Sequence, residues 1–173
     1  MKVLFLGDIV GRSGREALNR HLHKINLDNE IDFTIVNGEN AAGGFGITEK
    51  ICSELYNAGA NAITTGNHLW DQKEISNYIE KDNRLLKPYN SAEGTPGVGF
   101  NIFKTEKNEK IIVINLIGNV FMKANDNPFS KIDELINKLK SENDVKFIFV
   151  DFHAEATSEK VAMGHHLNGR VTA

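Results

Sequence analysis

Four runs of the chain decide the fold, each apolar and then abruptly polar: KVLFLGD (residues 2–8), FTIVNGEN (33–40), AITTGNH (62–68) and FIFVDFH (147–153). Short apolar runs bounded by turn residues are typical of buried strands in parallel sheets. In open α/β sheets, ligands bind at the carboxyl ends of the strands, and all four runs carry metal- or phosphate-binding groups there. We therefore expect an α/β fold with one assembled site.

Helical patterns separate the first three strands. Ser13 and Glu16 have the spacing of a capping box, which predicts a helix to about Ile25. Thr48 is the predicted cap of a second helix, and Gly59 is its predicted stop.

The later half of the chain mixes hairpin and helix signals. Asp71 and Glu74 are spaced as a cap for a short helix, and Ser130 is the predicted cap of a longer one. Two β-rich runs within 98–117 flank a polar turn, which predicts an antiparallel hairpin. Residues 171–173 have the character of the opening of another strand.

Size and composition indicate one soluble domain. The chain has 173 residues, 40% of them hydrophobic and 25% charged, with a net charge of −3. Nothing in this balance indicates tight nonspecific nucleic-acid binding. The single cysteine, Cys52, excludes an internal disulfide framework, and the N-terminal apolar run is too short for a signal peptide or membrane span. We expect a cytoplasmic protein.

The polar residues at the strand ends have the chemistry of a metal site. Glu39 has two carboxylate oxygens, so it can bridge two cations, and Asp8 is a second anionic ligand. Asn40 and Asn67 offer amide oxygens, and His153 offers an imidazole nitrogen. Oxygen and nitrogen ligands without thiolates suit iron, manganese or zinc and argue against a structural Cys-type zinc site.

Each of these residues also has a structural explanation when it is taken alone. Asp8 is placed as a cap or turn residue, and Asn40 and Asn67 neighbour glycines that favour turns. His68 and His153 fit surface or satisfied core histidines. The metal-site hypothesis is favoured because all of them fall at the same predicted sheet edge.

Four motifs together carry a resemblance to a known family: residues 7–8 (GD), 37–40 (NGEN), 66–68 (GNH) and 151–155 (DFHAE). They resemble the YmdB-like branch of the calcineurin-like metallophosphoesterases, and the resemblance covers the whole chain. It implies two facing β-sheets flanked by helices in a four-layer sandwich. It also implies a dinuclear-metal-dependent phosphodiesterase that hydrolyses cyclic nucleotides, of the 2′,3′-cyclic AMP type, by a metal-bridging hydroxide.

The same resemblance implies a role for each residue. One metal would be held by Asp8, Glu39 and Asn40, and the other by Glu39, Asn67 and His153. The metals would be iron or manganese, with zinc or magnesium as alternatives. In this comparison His68 is the proton donor, which suits a side chain that titrates near neutral pH.

The chain departs from the family pattern in one respect. The family carries a later Gly-Thr-His-Thr-His motif that supplies one ligand to each metal, and this motif does not occur in residues 1–173. We therefore expect a single metallophosphoesterase domain that lacks its C-terminal part. We do not expect His165 and His166 to substitute, because they lie in a predicted helix rather than at a strand end.

Two alternatives remain open at this stage. The first is a phosphomonoesterase of the same fold, and the second is a catalytically inactive binding or regulatory module. The expected partner is a small-molecule nucleotide, with no membrane; a homo-oligomer is left open, and no substrate-binding residue is assigned. Residues 43–46 and 90–99 are candidates for walls near the site.

Overall fold

The structure, a computed structural model, describes residues 1–123, 125–142 and 146–173 and has a mixed α/β architecture. The strands are β1 (Val3–Leu6), β2 (Phe33–Asn37), β3 (Ala62–Thr64), β4 (Leu85–Leu86), β5 (Phe100–Lys104), β6 (Lys110–Ile117) and β7 (Phe147–His153). The helices are α1 (Gly11–Asp28), α2 (Glu49–Ala58), α3 (Ile75–Tyr78), α4 (Pro128–Glu142) and α5 (Thr157–Leu167), with a 3-10 turn at Leu69–Asp71.

The first sheet is parallel, in the order β1-β2-β3-β4. Leu6 pairs with Val36, and Asn37 pairs with Thr64. This register brings the carboxyl ends of the strands to one edge of the sheet. The predicted clustering of the polar strand ends is therefore a consequence of parallel pairing.

The second sheet has the order β5-β6-β7 and contains the predicted hairpin. β5 and β6 pair antiparallel, whereas β6 and β7 run parallel, with Ile117 opposite His153. Residues 171–173, predicted to open a strand, lie beside β7. The Ala173 amide donates to the Ile148 carbonyl at 3.2 Å, and the Val150 amide donates to the Ala173 carbonyl at 2.9 Å, as in a parallel pair.

Three apolar clusters hold these elements together. One packs α1 and α2 against the first sheet, and another packs α4 and α5 against the second. A third joins the two sheets directly, with Phe33 and Ile35 of β2 beside Ile111 and Val113 of β6. The two sheets therefore share an apolar interface that ends beneath the polar edge.

The ends of α2 form as predicted. The Thr48 hydroxyl accepts a hydrogen bond from the Ile51 amide, and Gly59 closes the helix with φ 118°. The apolar face predicted for α4 is buried, and its members are Ile132, Leu135, Ile136 and Leu139.

Three predicted caps are wrong. α1 begins at Gly11, two residues before Ser13, because the chain turns at once after β1 and the Gly11 amide donates to the Asn40 carbonyl at 2.9 Å. The short helix that follows the 3-10 turn has no side-chain cap, and Asp71 binds His68 instead. The cap before α4 is Asn127, whose Oδ1 accepts from the Phe129 amide at 2.9 Å, so Ser130 lies inside the helix.

None of the helices in the described part of the chain is long and apolar enough to cross a membrane.

A buried asparagine joins the two sheets near the polar edge. Along β6, side chains alternate between the helices and the first sheet, and Asn115 faces the first sheet without exposure to solvent. Its Nδ2 donates to the carbonyls of Thr65 and Leu86, each at 3.0 Å. The carboxyl ends of β3 and β4 are thereby fixed against the second sheet.

We expect Asn115→Leu to lower the free energy of unfolding by about 2 kcal/mol, because it removes the side-chain donor to the buried Thr65 carbonyl and one of the two side-chain donors to the Leu86 carbonyl. Urea denaturation measures this loss. Asn101→Leu is the matched control, since the Asn101 amide donates to the Asn83 carbonyl in a partly exposed setting. Equal losses in the two variants would contradict a special role for the buried bridge.

Candidate functional site

The polar row begins at the edge strand β1. The Asn40 side chain donates from Nδ2 to Asp8 Oδ1 at 2.8 Å and to Glu39 Oε1 at 3.2 Å. Asp8 adopts φ 41°, a conformation that L side chains seldom take. The turn after β1 thus holds the carboxylate within reach of the residues that follow β2.

The row continues into the second sheet through His153. Its Nδ1 lies 3.3 Å from Glu39 Oε1, and its Nε2 lies 2.7 Å from Asn67 Oδ1. All five residues predicted as metal ligands therefore form one continuous row. Glu39 is at its centre.

Two atoms of this row are buried without a partner. Glu39 Oε2 and Asn40 Oδ1 have no hydrogen bond to any described part of the protein. A buried acceptor without a donor is costly, and a cation would offset that cost. The donor set therefore fits a metal ion that prefers oxygen and nitrogen ligands.

Acidic groups and histidines do not make up this site by themselves. Within residues 1–123, 125–142 and 146–173, no group of three or more His, Cys, Asp and Glu side chains is arranged to hold a metal. Two of the five members are asparagines, so the row depends on neutral amide oxygens.

Gly66 makes room for the contact between the two sheets. A Cβ atom at this position would lie 1.7 Å from Glu39 Oε2 and 2.7 Å from His153 Cγ. The glycine that precedes Asn67 is thus a requirement of the site and not simply a turn residue.

His68 lies beside the row and is paired with Asp71 rather than with a member of the row. Its Nδ1 lies 2.6 Å from Asp71 Oδ2, and its ring meets the Phe45 ring edge-to-face with 5.0 Å between centroids. The bond to Asp71 occupies Nδ1, which leaves Nε2 available for a substrate.

Three residues near the site were not assigned from the sequence. Asp71 carries a weak signal, since it lies three residues after His68. Asp151 lies two residues before His153, on the same face of β7, and its Oδ2 accepts from Asn37 Nδ2 at 3.0 Å. Asn37 also accepts from the Glu39 amide at 3.2 Å, so it supports the central carboxylate.

Burial moves three titratable groups of the site, Glu39, Asp151 and His153, toward their neutral forms. It raises the pKa of Glu39 to about 7, with a further contribution from the negative charge of Asp8. Burial likewise raises the pKa of Asp151, against the hydrogen bond from Asn37, and lowers the pKa of His153. The Glu39–His153 contact is therefore less ionic at neutral pH than its distance suggests.

The other histidines and the cysteine lie elsewhere. His166 contacts Asp133 at 2.8 Å on the face of α5 that meets α4, away from the strand ends, so it does not extend the row. Cys52 is fully buried in the cluster between the helices and the first sheet, as the sequence predicted. The predicted wall at residues 43–46 does border His68 through Phe45.

Residues 4–173 match the family of YmdB-like proteins. The matched range includes every residue of the polar row. This chain belongs to the YmdB-like family. Among its relatives is a protein of Bacillus subtilis (strain 168) named 2′,3′-cyclic-nucleotide 2′-phosphodiesterase, 47% identical over 173 residues.

Solved structures agree with the YmdB-like assignment. A novel phosphatase of Mycoplasma pneumoniae superposes with a TM-score of 0.90 at 37% identity, over 99% of this chain and 62% of the other. A hypothetical protein of Thermus thermophilus superposes with a TM-score of 0.89 at 37% identity, over 99% and 65%. The match to the B. subtilis relative covers 100% of this chain and 64% of the relative. This chain therefore spans less than two thirds of the length of each of the three proteins.

We expect Gly66→Ala to destabilise this YmdB-like protein by about 1–3 kcal/mol, because the added methyl group forces Glu39 and His153 apart. Urea denaturation measures the loss, and the imidazole resonances of His153 report the displacement. Gly164→Ala in α5 is the control, since its Cβ would have no neighbour within 4 Å, and alanine is favoured in helices. A similar loss for both variants would show that the site is not crowded at Gly66.

The raised pKa of Glu39 makes the metal-free protein less stable as pH rises. Its folded-state pKa of about 7 exceeds the ordinary value of 4.5, so the folded state binds more protons, and the free energy of unfolding falls over that window. At 1.36 kcal/mol per pKa unit, the fall is about 3 kcal/mol.

Glu39→Gln cannot ionise, so its stability relative to wild type should increase from about pH 5 to about pH 7.5. Urea denaturation in the presence of a chelator measures this difference. Asn101→Leu removes no titratable group, so it is the control and should show no such trend. A pH-independent difference for Glu39→Gln would show that Glu39 titrates normally.

Proposed function

We propose that this protein is a metal-dependent phosphodiesterase that opens 2′,3′-cyclic nucleotides. The observation that carries the proposal is the row from Asp8 to Asn67, with two buried oxygen atoms that lack a donor. The B. subtilis relative named for this activity, at 47% identity, supports the substrate class.

We also infer the calcineurin-like four-layer sandwich as the architecture. The three apolar clusters support this architecture. One joins α1 and α2 to the first sheet, the next joins the two sheets, and the last joins the second sheet to α4 and α5. The site then lies where both sheets end.

Two overlapping ligand sets follow from the row. Asp8, Glu39 and Asn40 would hold one ion, and Glu39, Asn67 and His153 would hold the other. Iron or manganese is the proposed metal, with zinc and magnesium as alternatives. When bound, the ions would withdraw charge from the phosphoryl oxygens and so stabilise the transition state.

The proton needed by the leaving group comes from His68. Water supplies the hydroxyl group that ends on phosphorus, the bond from phosphorus to the ribose 2′ oxygen breaks, and His68 gives its Nε2 proton to that oxygen. The other proton of the water passes to solvent, from which His68 is protonated again. The product is a nucleoside 3′-phosphate.

Asp71 orients this proton donor. Because it accepts the Nδ1 hydrogen of His68 at 2.6 Å, the ring cannot turn Nδ1 toward the substrate. The carboxylate also compensates the positive charge that the imidazole carries before proton transfer.

The free thiol of Cys52, buried in the core, suits a reducing compartment, and we infer a cytoplasmic protein.

We expect His68→Ala to lower the turnover of 2′,3′-cyclic AMP about a hundredfold or more while the metal content per chain is kept. Asn67→Ala should lower both quantities, and Asp71→Asn should give a rate between wild type and His68→Ala. Initial rates and elemental analysis provide the measurements. His166→Ala, which alters a histidine paired with Asp133 away from the row, is the control with an unchanged rate.

Unchanged turnover in His68→Ala would contradict its role as the acid. Wild-type protein that holds no metal and turns over no substrate would instead favour the inactive binding module.

A second candidate is a phosphomonoesterase, which the M. pneumoniae structure solved as a novel phosphatase favours. Side-by-side rates with p-nitrophenyl phosphate and 2′,3′-cyclic AMP decide between the two substrate classes. Faster hydrolysis of the monoester would overturn the diester assignment.

A further inference from the structure

An exposed aromatic ring stands beside the proposed proton donor. The Phe45 side chain is 58% exposed and belongs to none of the apolar clusters, yet its ring is 5.0 Å from that of His68. Single exposed apolar residues are common on protein surfaces, so exposure alone means little. The position is informative, because the loop that carries Phe45 starts at Asn40 and ends against His68.

Two hydrogen bonds hold the backbone of this loop. The Ala42 amide donates to the Gly46 carbonyl at 2.8 Å, and Gln72 Nε2 donates to the Phe45 carbonyl at 2.8 Å. A backbone held before a ligand arrives loses less conformational entropy on binding. The loop therefore sets the position of Phe45 beside His68.

The space around the loop is asymmetric. On one side it is tight, since a Cβ at Gly46 would lie 2.9 Å from Gln72 Cγ and 3.0 Å from the His68 carbonyl oxygen. On the other side, a Cβ at Gly43 or Gly44 would meet nothing within 4 Å. The Phe45 side chain is itself 58% exposed, so a flat ligand can reach its ring.

We propose that Phe45 is the stacking surface for the nucleobase of the substrate. The ligand class rests on the proposed function. In a 2′,3′-cyclic nucleotide the base is attached to C1′, which adjoins the C2′ carbon whose oxygen His68 protonates. A base on Phe45 is thus compatible with a phosphate at the row of ligands. Every base has a π-face, so this subsite favours nucleotides over base-free phosphates and discriminates weakly among bases.

The test is calorimetric titration with adenosine 3′-monophosphate and, separately, with inorganic phosphate. Phe45→Leu keeps an apolar side chain but removes the ring, and Phe45→Tyr keeps the ring. We expect Phe45→Leu to weaken nucleotide binding roughly tenfold or more, with phosphate binding unchanged and Phe45→Tyr close to wild type. Leu27→Ala, at another exposed apolar residue (65% exposed) at the far end of α1, should behave as wild type.

Equal losses for nucleotide and phosphate, no loss for either, or no nucleotide binding by the wild type would overturn the subsite. Failure of the proposed function gives a different pattern. If the wild type binds nucleotide through Phe45 but does not hydrolyse 2′,3′-cyclic AMP, the proposed phosphodiesterase function is contradicted and the base subsite is supported. If the wild type hydrolyses 2′,3′-cyclic AMP and Phe45→Leu has the same KM, the base subsite is contradicted and the proposed phosphodiesterase function is supported.

Discussion

The hydrogen bond between Asn37 and Asp151 is the contact on which the rest of the site depends. It joins the last residue of β2 to β7, a strand of the other sheet, at the edge where both sheets end. Glu39 follows one of these residues by two positions, and His153 follows the other by two positions. A shift of either sheet would separate Glu39 from His153, so the polar row is a property of the interface between the sheets.

The electrostatics of the row follow from its place at the end of that interface. Burial disfavours charge on Glu39, Asp151 and His153, and the negative charge of Asp8 adds to the effect on Glu39. The metal-free arrangement therefore combines stable packing with unfavourable electrostatics. Under the proposed function, a bound cation would offset this electrostatic cost and so stabilise the protein.

The sequence was sufficient to predict features that depend on local pattern. Polar residues after apolar runs located the strand ends, and the cap at Thr48 formed where its spacing indicated. The cap predicted at Ser130 failed because Asn127, three residues earlier, already caps the amides of Phe129 and Ser130, so the helix begins before Ser130. The contact between Asn37 and Asp151 spans 114 residues of sequence, and no local signal reports a pair that only the packing of two sheets brings together.

The carbonyl group of Asn40 accepts two hydrogen bonds, from the Gly11 amide at the start of α1 and from the Gly44 amide in the glycine-rich loop. A single peptide unit thus connects a helix, the loop that carries Phe45 and a member of the polar row. A ligand that displaced the loop would disturb this peptide unit, which belongs to the residue with the unpartnered Oδ1. If the proposed cation and the proposed nucleobase both bind, Asn40 would couple them, and each would change the affinity of the other by the same factor.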